Sequence, residues 1–384
     1  MGKWVLLDGR PAQGKRRGMG VYVTRLVESL AKLPDAPAIK VALDKNAGAD
    51  PWAPELAVER LWDGAANAPR WEQSVLPALA EKNGAALVHH TANTAAWKSR
   101  VPCVVTVHDA IFLRSLFSIS DRWYPRQVAA YLYYRFGVGR GARRARLVLT
   151  DSNYSREELI RKLNLDPVRV RAIHLAEPFE AAALPENELD EVLGGLGVRR
   201  PYVLGLGAID RRKNTANLVR AYARLPRSAA PQLVLAGFEK LKYSEVPQII
   251  REWNLETRVK IFGYLEERQL AALFQGAAVF AYPSLEEGFG LPLLQAFLHG
   301  IPVITTRNGS LAEVAGEGAR FVDPLDLRAM SREMMTLLTD TTESHRLALA
   351  GYMQAKKFSW ENTARQTADA YRQAWGDLPG EGKR

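Results

Sequence analysis

Short apolar runs alternate with amphipathic stretches along almost the whole chain. Most of these runs are unbroken in valine, isoleucine and leucine and lack the polar alternation of a strand with one wet face. Unbroken runs are typical of strands covered on both faces, as in parallel sheets flanked by helices. The predicted strands are 4–8, 40–43, 87–90, 104–109, 147–151, 170–175, 202–207, 233–237, 259–263, 279–283, 302–306 and 320–323.

The alternation restarts near residue 200, after a polar stretch that ends in glycines. A chain of 384 residues is also too long for one ordinary hydrophobic core. We therefore predict a first α/β domain over 1–195 and a second over 196–358. A helix over 359–376 closes the pattern, and the polar residues 377–384 are predicted to be a disordered tail.

Composition and charge limit where the protein is expected to be located and what kind of partner it is expected to bind. The single cysteine, Cys103, excludes an intrachain disulfide and lies in an apolar run typical of a buried strand. The first apolar run is too short for a signal peptide, and no run is long enough to span a bilayer, so we expect a cytoplasmic protein. The net charge of +10 suits an anionic partner such as a nucleotide phosphate, a lipid headgroup or a nucleic acid.

The strongest motif is Pro-Ser-Leu-Glu-Glu-Gly-Phe-Gly-Leu-Pro-Leu-Leu-Gln-Ala over 283–296. A strand ends, two glycines permit close backbone approach, and Pro292 suits the start of a helix. A helix N-terminus after such a loop offers free N–H groups to a phosphate. Glu287 precedes the helix and Gln295 lies about one turn inside it, so both side chains are able to face one ligand. On the residues alone, an ordinary strand–turn–helix crossover explains the segment equally well.

A second motif, Val-Leu-Gly-Leu-Gly-Ala-Ile-Asp-Arg-Arg-Lys-Asn over 203–214, runs from a strand into cations before a helix. Its cations Arg212 and Lys213 follow the end of a strand, the edge at which open α/β sheets bind ligands. Arg211 is better explained as part of a solvated turn.

These segments resemble the donor-site signatures of glycosyltransferase family 4, a large family of retaining enzymes. The resemblance extends over nearly the whole chain and implies a GT-B fold, in which two Rossmann-like parallel-sheet domains face a central cleft. It also implies that the closing helix crosses back to the first domain. That helix follows the sequence Phe-Ser-Trp-Glu-Asn-Thr-Ala over 358–364.

The resemblance assigns roles within the nucleotide-sugar site. Glu287 would contact the sugar, and Gln295 would hold the ribose at a position where the family usually has glutamate. Glutamine keeps an acceptor oxygen but loses the strength of a charged hydrogen bond, which affects donor affinity or nucleotide preference. The residues assigned to the diphosphate are Arg212, Lys213, Gly288, Phe289 and Gly290, with Gly18 and Gly20 from the first domain. Gly263 and Tyr264, at the end of another strand, are assigned to the nucleoside.

Two further features of the first domain match the family. Gly18 and Gly20 belong to a glycine-rich loop between the first strand and the first helix, where the backbone would approach the phosphates. His108 and Asp109 close a buried strand. By resemblance His108 contacts a hydroxyl of the donor sugar, and Asp109 orients it or assists the acceptor. His89 and His90 are interpreted as structural or cleft-lining.

Residues 122–150 contain no acidic side chain but carry seven arginines interleaved with aromatic residues. The segment is either a surface for a membrane or a lipid pyrophosphate, or a helix whose aromatic residues belong to the core. The arginines are Arg122, Arg126, Arg135, Arg140, Arg143, Arg144 and Arg146, and the aromatic residues are Trp123, Tyr124, Tyr131, Tyr133, Tyr134 and Phe136.

The resemblance implies a retaining hexosyltransferase acting at a saccharide or lipid-linked acceptor, with GDP-mannose as the expected donor. We expect neither a metal nor a cofactor, because no ligand cluster or Asp-x-Asp strand end is evident. Of the two interpretations of residues 122–150, the membrane interpretation implies peripheral contact with the inner face of the membrane, and the core interpretation implies none. Three alternative functions fit the residues less well. A glycosidase or phosphorylase would need a second carboxylate beside Glu287. A nucleotide-sugar epimerase of similar fold is disfavoured by the Gly-Phe-Gly-x-Pro segment, and a nucleic-acid-binding protein lacks a recognisable motif.

Overall fold

The computed structural model describes residues 3–14, 18–113, 125–177, 183–207, 210–226, 231–238 and 244–376. These residues form two compact units. The first unit contains the described residues up to 113 together with 125–177 and 358–376, and the second contains those of 183–357. Each unit is built around its own parallel sheet.

The sheet of the first unit has seven parallel strands in the order β3-β2-β1-β4-β5-β6-β7. Its core packs around side chains such as Leu6, Trp71 and Val105, all fully buried. The strands are β1 Trp4–Asp8, β2 Ala38–Asp44, β3 Glu59–Asp63, β4 Leu87–His90, β5 Cys103–Thr106, β6 Leu147–Thr150 and β7 Val170–Ala172.

The sheet of the second unit has six parallel strands in the order β10-β9-β8-β11-β12-β13. Val203, Tyr222 and Met330 are fully buried in its core. The strands are β8 Tyr202–Leu206, β9 Gln232–Ala236, β10 Val259–Phe262, β11 Val279–Tyr282, β12 Val303–Thr305 and β13 Ala319–Phe321.

Helices connect the strands in both units. Those of the first unit are α1 Met19–Lys32, α2 Ala68–Arg70, α3 Leu76–Lys82, α4 Pro125–Arg144, α5 Asn153–Leu163 and the closing helix α14 Trp360–Trp375, with a π-helical turn, Trp71–Val75, between α2 and α3. Those of the second unit are α6 Glu186–Gly195, α7 Thr215–Tyr222, α8 Val246–Glu252, α9 Glu267–Gln275, α10 Leu291–Leu298, α11 Leu311–Ala315, α12 Leu327–Thr339 and α13 Thr341–Ala355.

The strand order predicts where each sheet binds a ligand. Both sheets grow from one central strand first to one side and then to the other, as in the doubly wound Rossmann order 3-2-1-4-5-6. The connections after the two central strands therefore diverge and leave a crevice at the carboxyl ends of those strands. In the first sheet this switch point lies between β1 and β4, and in the second it lies between β8 and β11.

The predicted parallel α/β architecture is confirmed. All twelve predicted strands form, and β3 is a further strand that the sequence analysis missed. This edge strand has the sequence Glu-Arg-Leu-Trp-Asp and buries none of its residues fully. An apolar run marks only strands that are covered on both faces, so an exposed edge strand does not show the pattern.

Two helices pack in a unit that their position in the chain does not indicate. Helix α14 packs in the first unit, where Trp360 Nε1 donates to the Glu177 carbonyl at 2.6 Å. Tyr371, on the same helix, is fully buried. Helix α6, which the sequence analysis assigned to the first domain, packs in the second unit against α9. Leu189 and Leu193 are the buried residues of this helix.

Candidate active site

Three residues predicted to act together converge at the switch point of the second sheet. A 3-10 turn, Arg211–Lys213, follows β8, and the glycine loop follows β11. Arg212 Nη1 lies 2.9 Å from Glu287 Oε2, and Lys213 Nζ lies 2.8 Å from Glu287 Oε1. The carboxylate is thus held between the two cations that the sequence assigned to the diphosphate.

Tyr282 completes this cluster, and the sequence analysis missed it. The hydroxyl donates to Glu287 Oε1 at 2.9 Å and accepts a short hydrogen bond from Lys213 Nζ. Tyr282 is the last residue of β11 and is 1% exposed. A tyrosine at the end of an otherwise apolar strand was the available signal, because a buried hydroxyl needs a polar partner.

Burial and charge act in opposite directions on the titration of this cluster. Burial alone would raise the pKa of Glu287, but the charges of Lys213 and Arg212 outweigh it and hold that pKa below its ordinary value. Burial alone would lower the pKa of Lys213, but Tyr282 and Glu287 raise it. Burial raises the pKa of Tyr282 to about 12. At neutral pH the cluster therefore holds an ionised carboxylate, a charged lysine and a neutral tyrosine.

Main-chain contacts fix the two loops against each other. The Leu285 amide donates to the Arg212 carbonyl at 2.7 Å, and Arg212 Nη1 also donates to the Glu286 carbonyl at 2.8 Å. Asn214, in the left-handed region with φ of 55°, donates from Nδ2 to the Pro283 carbonyl at 3.1 Å. The turn after β8 is therefore fastened directly to the loop after β11.

A second loop supports Glu287 from the other side. The Ser310 hydroxyl donates to the carbonyls of Glu287 and Phe289, at 3.0 and 2.8 Å. Gly309 has φ of 64°, and a Cβ there would lie 2.7 Å from the Glu287 carbonyl oxygen. Only glycine permits this approach, so Gly309 and Ser310 are positioning residues that the sequence analysis did not identify.

The glycine loop leads into α10 as the motif predicts. Gly290 has φ of 105° and caps the helix, and Pro292 lies in its first turn. Phe289 is 4% exposed and packs inward. Gln295 is 5% exposed, one turn into α10. The predicted contacts of Gly288, Phe289, Gly290 and Gln295 with a nucleotide sugar stay predictions.

Gly263 and Tyr264 lie apart from the Glu287 cluster. They follow the edge strand β10, which β9 separates from β8. Two strand spacings amount to about 10 Å, comparable with the reach from a diphosphate to a base. The Gly263 carbonyl accepts from the Gly237 amide at 3.1 Å, and Tyr264 is 52% exposed. Their nucleoside role stays a prediction.

In the first unit, Gly18 and Gly20 lie at the start of α1. Gly18 caps the helix with φ of 41°. A Cβ on Gly20 would lie 2.8 Å from the Pro11 carbonyl oxygen, so close packing by itself requires a glycine there. Residues 15–17 of this loop lie outside the described residues, and phosphate contact by either glycine stays a prediction.

His108 and Asp109 follow β5. His108 Nδ1 lies 2.8 Å from Asp151 Oδ2, and His108 Nε2 lies 3.1 Å from the Thr91 carbonyl oxygen. Asp109 is half-buried, and its Oδ1 accepts from the Ile111 amide at 2.9 Å. Asp151, the partner of His108, was a strand-end residue to which the sequence analysis gave no role.

His89 and His90 lie inside the first unit, as their structural interpretation requires. His89 Nδ1 is 2.7 Å from the Tyr371 hydroxyl of α14, and Nε2 is 2.8 Å from Thr106 Oγ1. Burial lowers the pKa of His89 to about 3 and that of His90 to about 4. Both imidazoles are therefore neutral in the folded protein.

A buried acidic pair occupies the switch point of the first sheet. Asp8, at the end of β1, accepts from Trp71 Nε1 at 2.8 Å. Burial raises the pKa of Asp8 to about 7, and the nearby charge of Glu72 also raises it. Glu72 Oε2 accepts short hydrogen bonds from Thr94 and Tyr133, both 2.5 Å. Only the tertiary structure identifies this pair, because Glu72 lies on the π-helical turn far from β1 in sequence.

Within the described ranges, neither a metal-binding group nor a membrane-spanning helix is found. No group of three or more histidine, cysteine, aspartate or glutamate side chains there is arranged to hold a metal ion. Nor does any helix in those ranges combine the length and hydrophobicity that a bilayer-spanning helix requires.

The arginine–aromatic segment, residues 122–150, contains aromatic side chains that pack in the core and other side chains that are exposed. Each of its two interpretations predicts one of these groups. On α4, Tyr133 hydrogen-bonds Glu72, and Tyr134 packs against the core. Leu132 and Phe136 point outward, 45% and 70% exposed. Arg135, Arg140, Arg143 and Arg144 are also exposed. Arg122, Trp123, Tyr124 and the side chain of Arg126 lie outside the described residues.

Solved structures share this two-sheet architecture. Sucrose-phosphate synthase from Thermosynechococcus elongatus matches 97% of this chain and 98% of its own, with a TM-score of 0.72 at 21% identity. Anabaena HepE, solved in complex with UDP, matches 97% and 100%, with a TM-score of 0.70 at 20% identity. The fold therefore belongs to the GT-B class, with one parallel-sheet α/β domain in each half.

Sequence comparison identifies the family within that class. Residues 16–176 match the family model Glycosyltransferase Family 4, and residues 194–354 match Glycosyl transferases group 1. The chain is 32% identical over 272 residues to the O-antigen chain mannosyltransferase B of Escherichia coli, covering 70% of each protein. The protein belongs to glycosyltransferase family 4.

Proposed function

We propose that the protein is a retaining mannosyltransferase that transfers mannose from GDP-mannose to a saccharide or lipid-linked saccharide acceptor. The convergence of Arg212, Lys213 and Glu287 at the switch point of the second sheet carries this proposal. The 32% identity to the O-antigen chain mannosyltransferase B supports mannose and a surface saccharide. The HepE complex with UDP supports a nucleotide-linked donor of the same general kind.

The cluster has the chemistry that departure of a nucleoside diphosphate requires. Arg212 and Lys213 supply fixed positive charge where negative charge grows as the sugar–phosphate bond breaks. Because the pKa of Glu287 is lowered, its carboxylate is ionised and accepts hydrogen bonds from sugar hydroxyls. A carboxylate in that state does not serve as a general acid. In the proposed mechanism the acceptor attacks the face that the diphosphate leaves, and the departing phosphate oxygen takes the acceptor proton.

The proposal predicts selective stabilisation by GDP-mannose. Unfolding of the full-length protein is followed thermally with GDP-mannose, UDP-glucose, GDP and UDP, each at several concentrations. A ligand at one hundred times its Kd stabilises the native state by about 2.7 kcal/mol, so the melting temperature should rise most with GDP-mannose. Stabilisation by UDP-glucose alone would show that the donor is not GDP-mannose. If no nucleotide sugar stabilised the protein, the proposal would be rejected.

A transfer assay with GDP-mannose and an acceptor tests the proposed chemistry. Transfer to an oligomannoside acceptor should give an α-linked product from the α-linked donor, as read by the anomeric proton. Turnover should persist in excess chelator, since we propose that neither a metal nor a cofactor takes part. Loss of activity that magnesium or manganese restores would contradict metal independence. Conversion of the sugar nucleotide to its epimer without transfer would instead indicate an epimerase.

We also propose that the outward face of α4 meets anionic lipid. Leu132 and Phe136 are one helical turn apart and exposed, and the exposed arginines Arg140, Arg143 and Arg144 continue that face. Apolar side chains flanked by cations suit the surface of an anionic bilayer. This contact would bring the protein to a lipid-linked acceptor.

Replacing Arg140, Arg143 and Arg144 with alanine is expected to abolish most co-sedimentation with vesicles that contain anionic phosphatidylglycerol. Each cation near such a surface contributes about 1 kcal/mol, so losing three weakens binding by roughly two orders of magnitude. The control replaces the exposed Arg100, Arg161 and Arg365, which removes the same charge elsewhere in the first unit. Equal weakening in both triple variants would show that net charge, and not this face, attracts the protein.

A further inference from the structure

The ring of His108 is held between two hydrogen-bond acceptors. Nδ1 faces the Asp151 carboxylate, at 2.8 Å from Oδ2 and 3.1 Å from Oδ1. Nε2 faces the Thr91 carbonyl oxygen at 3.1 Å. His108 is 9% and Asp151 5% exposed, so both groups are largely shielded from bulk water.

The identity of these partners constrains the protonation of His108. A backbone carbonyl only accepts, so Nε2 must carry a hydrogen to make its contact. An ionised carboxylate also only accepts, so Nδ1 must carry one as well. Beside an ionised carboxylate, a neutral imidazole has a single N–H and would leave one of the two buried contacts without a proton.

We infer that Asp151 is a positioning residue that holds His108 as a doubly protonated imidazolium, so that His108 serves sugar transfer as a fixed positive charge and not as a base. The protonation state follows from the geometry of the first unit alone. The part concerning sugar transfer rests on the proposed function.

The other neighbours of His108 fix the ring without competing for its protons. The edge of the Tyr22 ring, from α1, packs against it with centroids 4.9 Å apart and planes at 84°. The main-chain N–H of His108 donates to Asn93 Oδ1 at 2.8 Å. Asp109, next in the chain, adds negative charge, and His89, from β4, is neutral.

Two buried histidines in the same unit show what happens without a carboxylate. Burial lowers the pKa of His89 to about 3 and that of His90 to about 4. Burial alone would also lower the pKa of His108, but the charge and hydrogen bond of Asp151 and the Thr91 carbonyl together raise it. Asp151 therefore distinguishes a charged histidine from its neutral neighbours.

The sign of the pH dependence follows from that raised pKa. The ion pair contributes its full stabilisation below the pKa of an unfolded histidine, about 6.5. The stabilisation is lost as pH rises through the higher pKa of His108 in the folded protein. Since the imidazolium has no lone pair, the proton of the acceptor must go to another group.

Nitrogen-15 NMR of the full-length, histidine-labelled protein tests the protonation state without any substrate. The chain has six histidines, and the signals lost in His108→Gln identify this one. In the native protein at neutral pH, both ring nitrogens of His108 are expected at the chemical shift of protonated nitrogen. The midpoint of the His108 titration is expected above the ordinary pKa of histidine. A single protonated nitrogen at neutral pH would overturn the inference, whatever the enzyme transfers.

The variant Asp151→Asn is expected to lower the pKa of His108 below the ordinary pKa of histidine, toward the pKa values of His89 and His90. Asp166→Asn is the matched control, because Asp166 caps an exposed turn of the same unit. An unchanged His108 titration in folded Asp151→Asn would also overturn the inference. If that variant does not fold, the titration of the native protein decides.

The kinetic result separates a positioning role from a merely structural one. Turnover by Asp151→Asn should be low at neutral pH and should recover about tenfold for each unit by which the pH is lowered, until His108 is protonated again. Asp151→Glu keeps the charge and should retain the alkaline limb of the native profile. A loss of turnover in Asp151→Asn that is equal at every pH would contradict action through the charge of His108.

Discussion

Replacing Glu287 with alanine is expected to lower kcat by about two to three orders of magnitude, the usual effect of removing one group that stabilises a transition state. In our proposal the carboxylate contacts the sugar as charge develops on it. The structure adds a second reason, because Glu287 also fixes the positions of Arg212 and Lys213 through contacts of 2.9 and 2.8 Å. Affinity for the free nucleoside diphosphate should change much less, since both positive charges remain and Arg212 Nη1 still donates to the Glu286 carbonyl.

The variant Glu287→Gln separates these two contributions. It keeps the size of the side chain and an oxygen able to accept from Tyr282, but it lacks the charge that pairs with Lys213. We expect kcat intermediate between alanine and the native enzyme, measured by release of the nucleoside diphosphate at saturating donor. A Glu287→Ala enzyme with native kcat would remove the donor-site assignment of this loop.

Gln295 should behave differently, because it is proposed to contact the ribose, remote from the bond that breaks. A contact of equal strength in ground and transition states affects binding and not kcat, so Gln295→Ala should mainly raise KM for the donor. Gln295→Glu, which introduces the residue usual in the family, should be tolerated and should tighten binding. A fall in kcat at unchanged KM would assign Gln295 to the reacting end of the donor.

Replacing Lys213 with methionine is expected to weaken nucleoside-diphosphate binding by about one to two orders of magnitude. A hydrogen bond to a charged group contributes about 1.5–3 kcal/mol, and each 1.4 kcal/mol corresponds to about tenfold in Kd. Methionine keeps most of the apolar stem while removing the charge. Isothermal titration calorimetry with GDP measures the change directly.

The control for Lys213→Met is Arg211→Ala, which removes an adjacent, exposed cation from the same 3-10 turn. It should bind the diphosphate within about threefold of the native protein, because exposed charges are screened by water and salt. Lys213 also pairs with the buried Glu287, so Lys213→Met should lower the melting temperature somewhat. Native affinity in a folded Lys213→Met protein would exclude this lysine from the phosphate site.

The sequence alone predicted the parallel α/β class, because strands covered on both faces must be continuously apolar. It also placed Arg212, Lys213 and Glu287 after strand ends, the ligand edge of such sheets, and the resemblance to the family assigned their roles. Where burial did not shape the sequence, the prediction failed: β3 is an exposed edge strand and was missed.

Only the tertiary structure decided which of these residues meet. Arg212 and Glu287 are 75 positions apart and come together because β8 and β11 are neighbours at the switch point of their sheet. The same is true of His108 and Asp151, 43 positions apart just after the adjacent strands β5 and β6. Apolar periodicity reports burial one segment at a time, whereas strand order and register determine the neighbours of each strand end. The sequence therefore determined the strands and the residue types at their ends, and the packing of the sheets decided the pairing of Lys213 with Glu287 and Tyr282 and of His108 with Asp151.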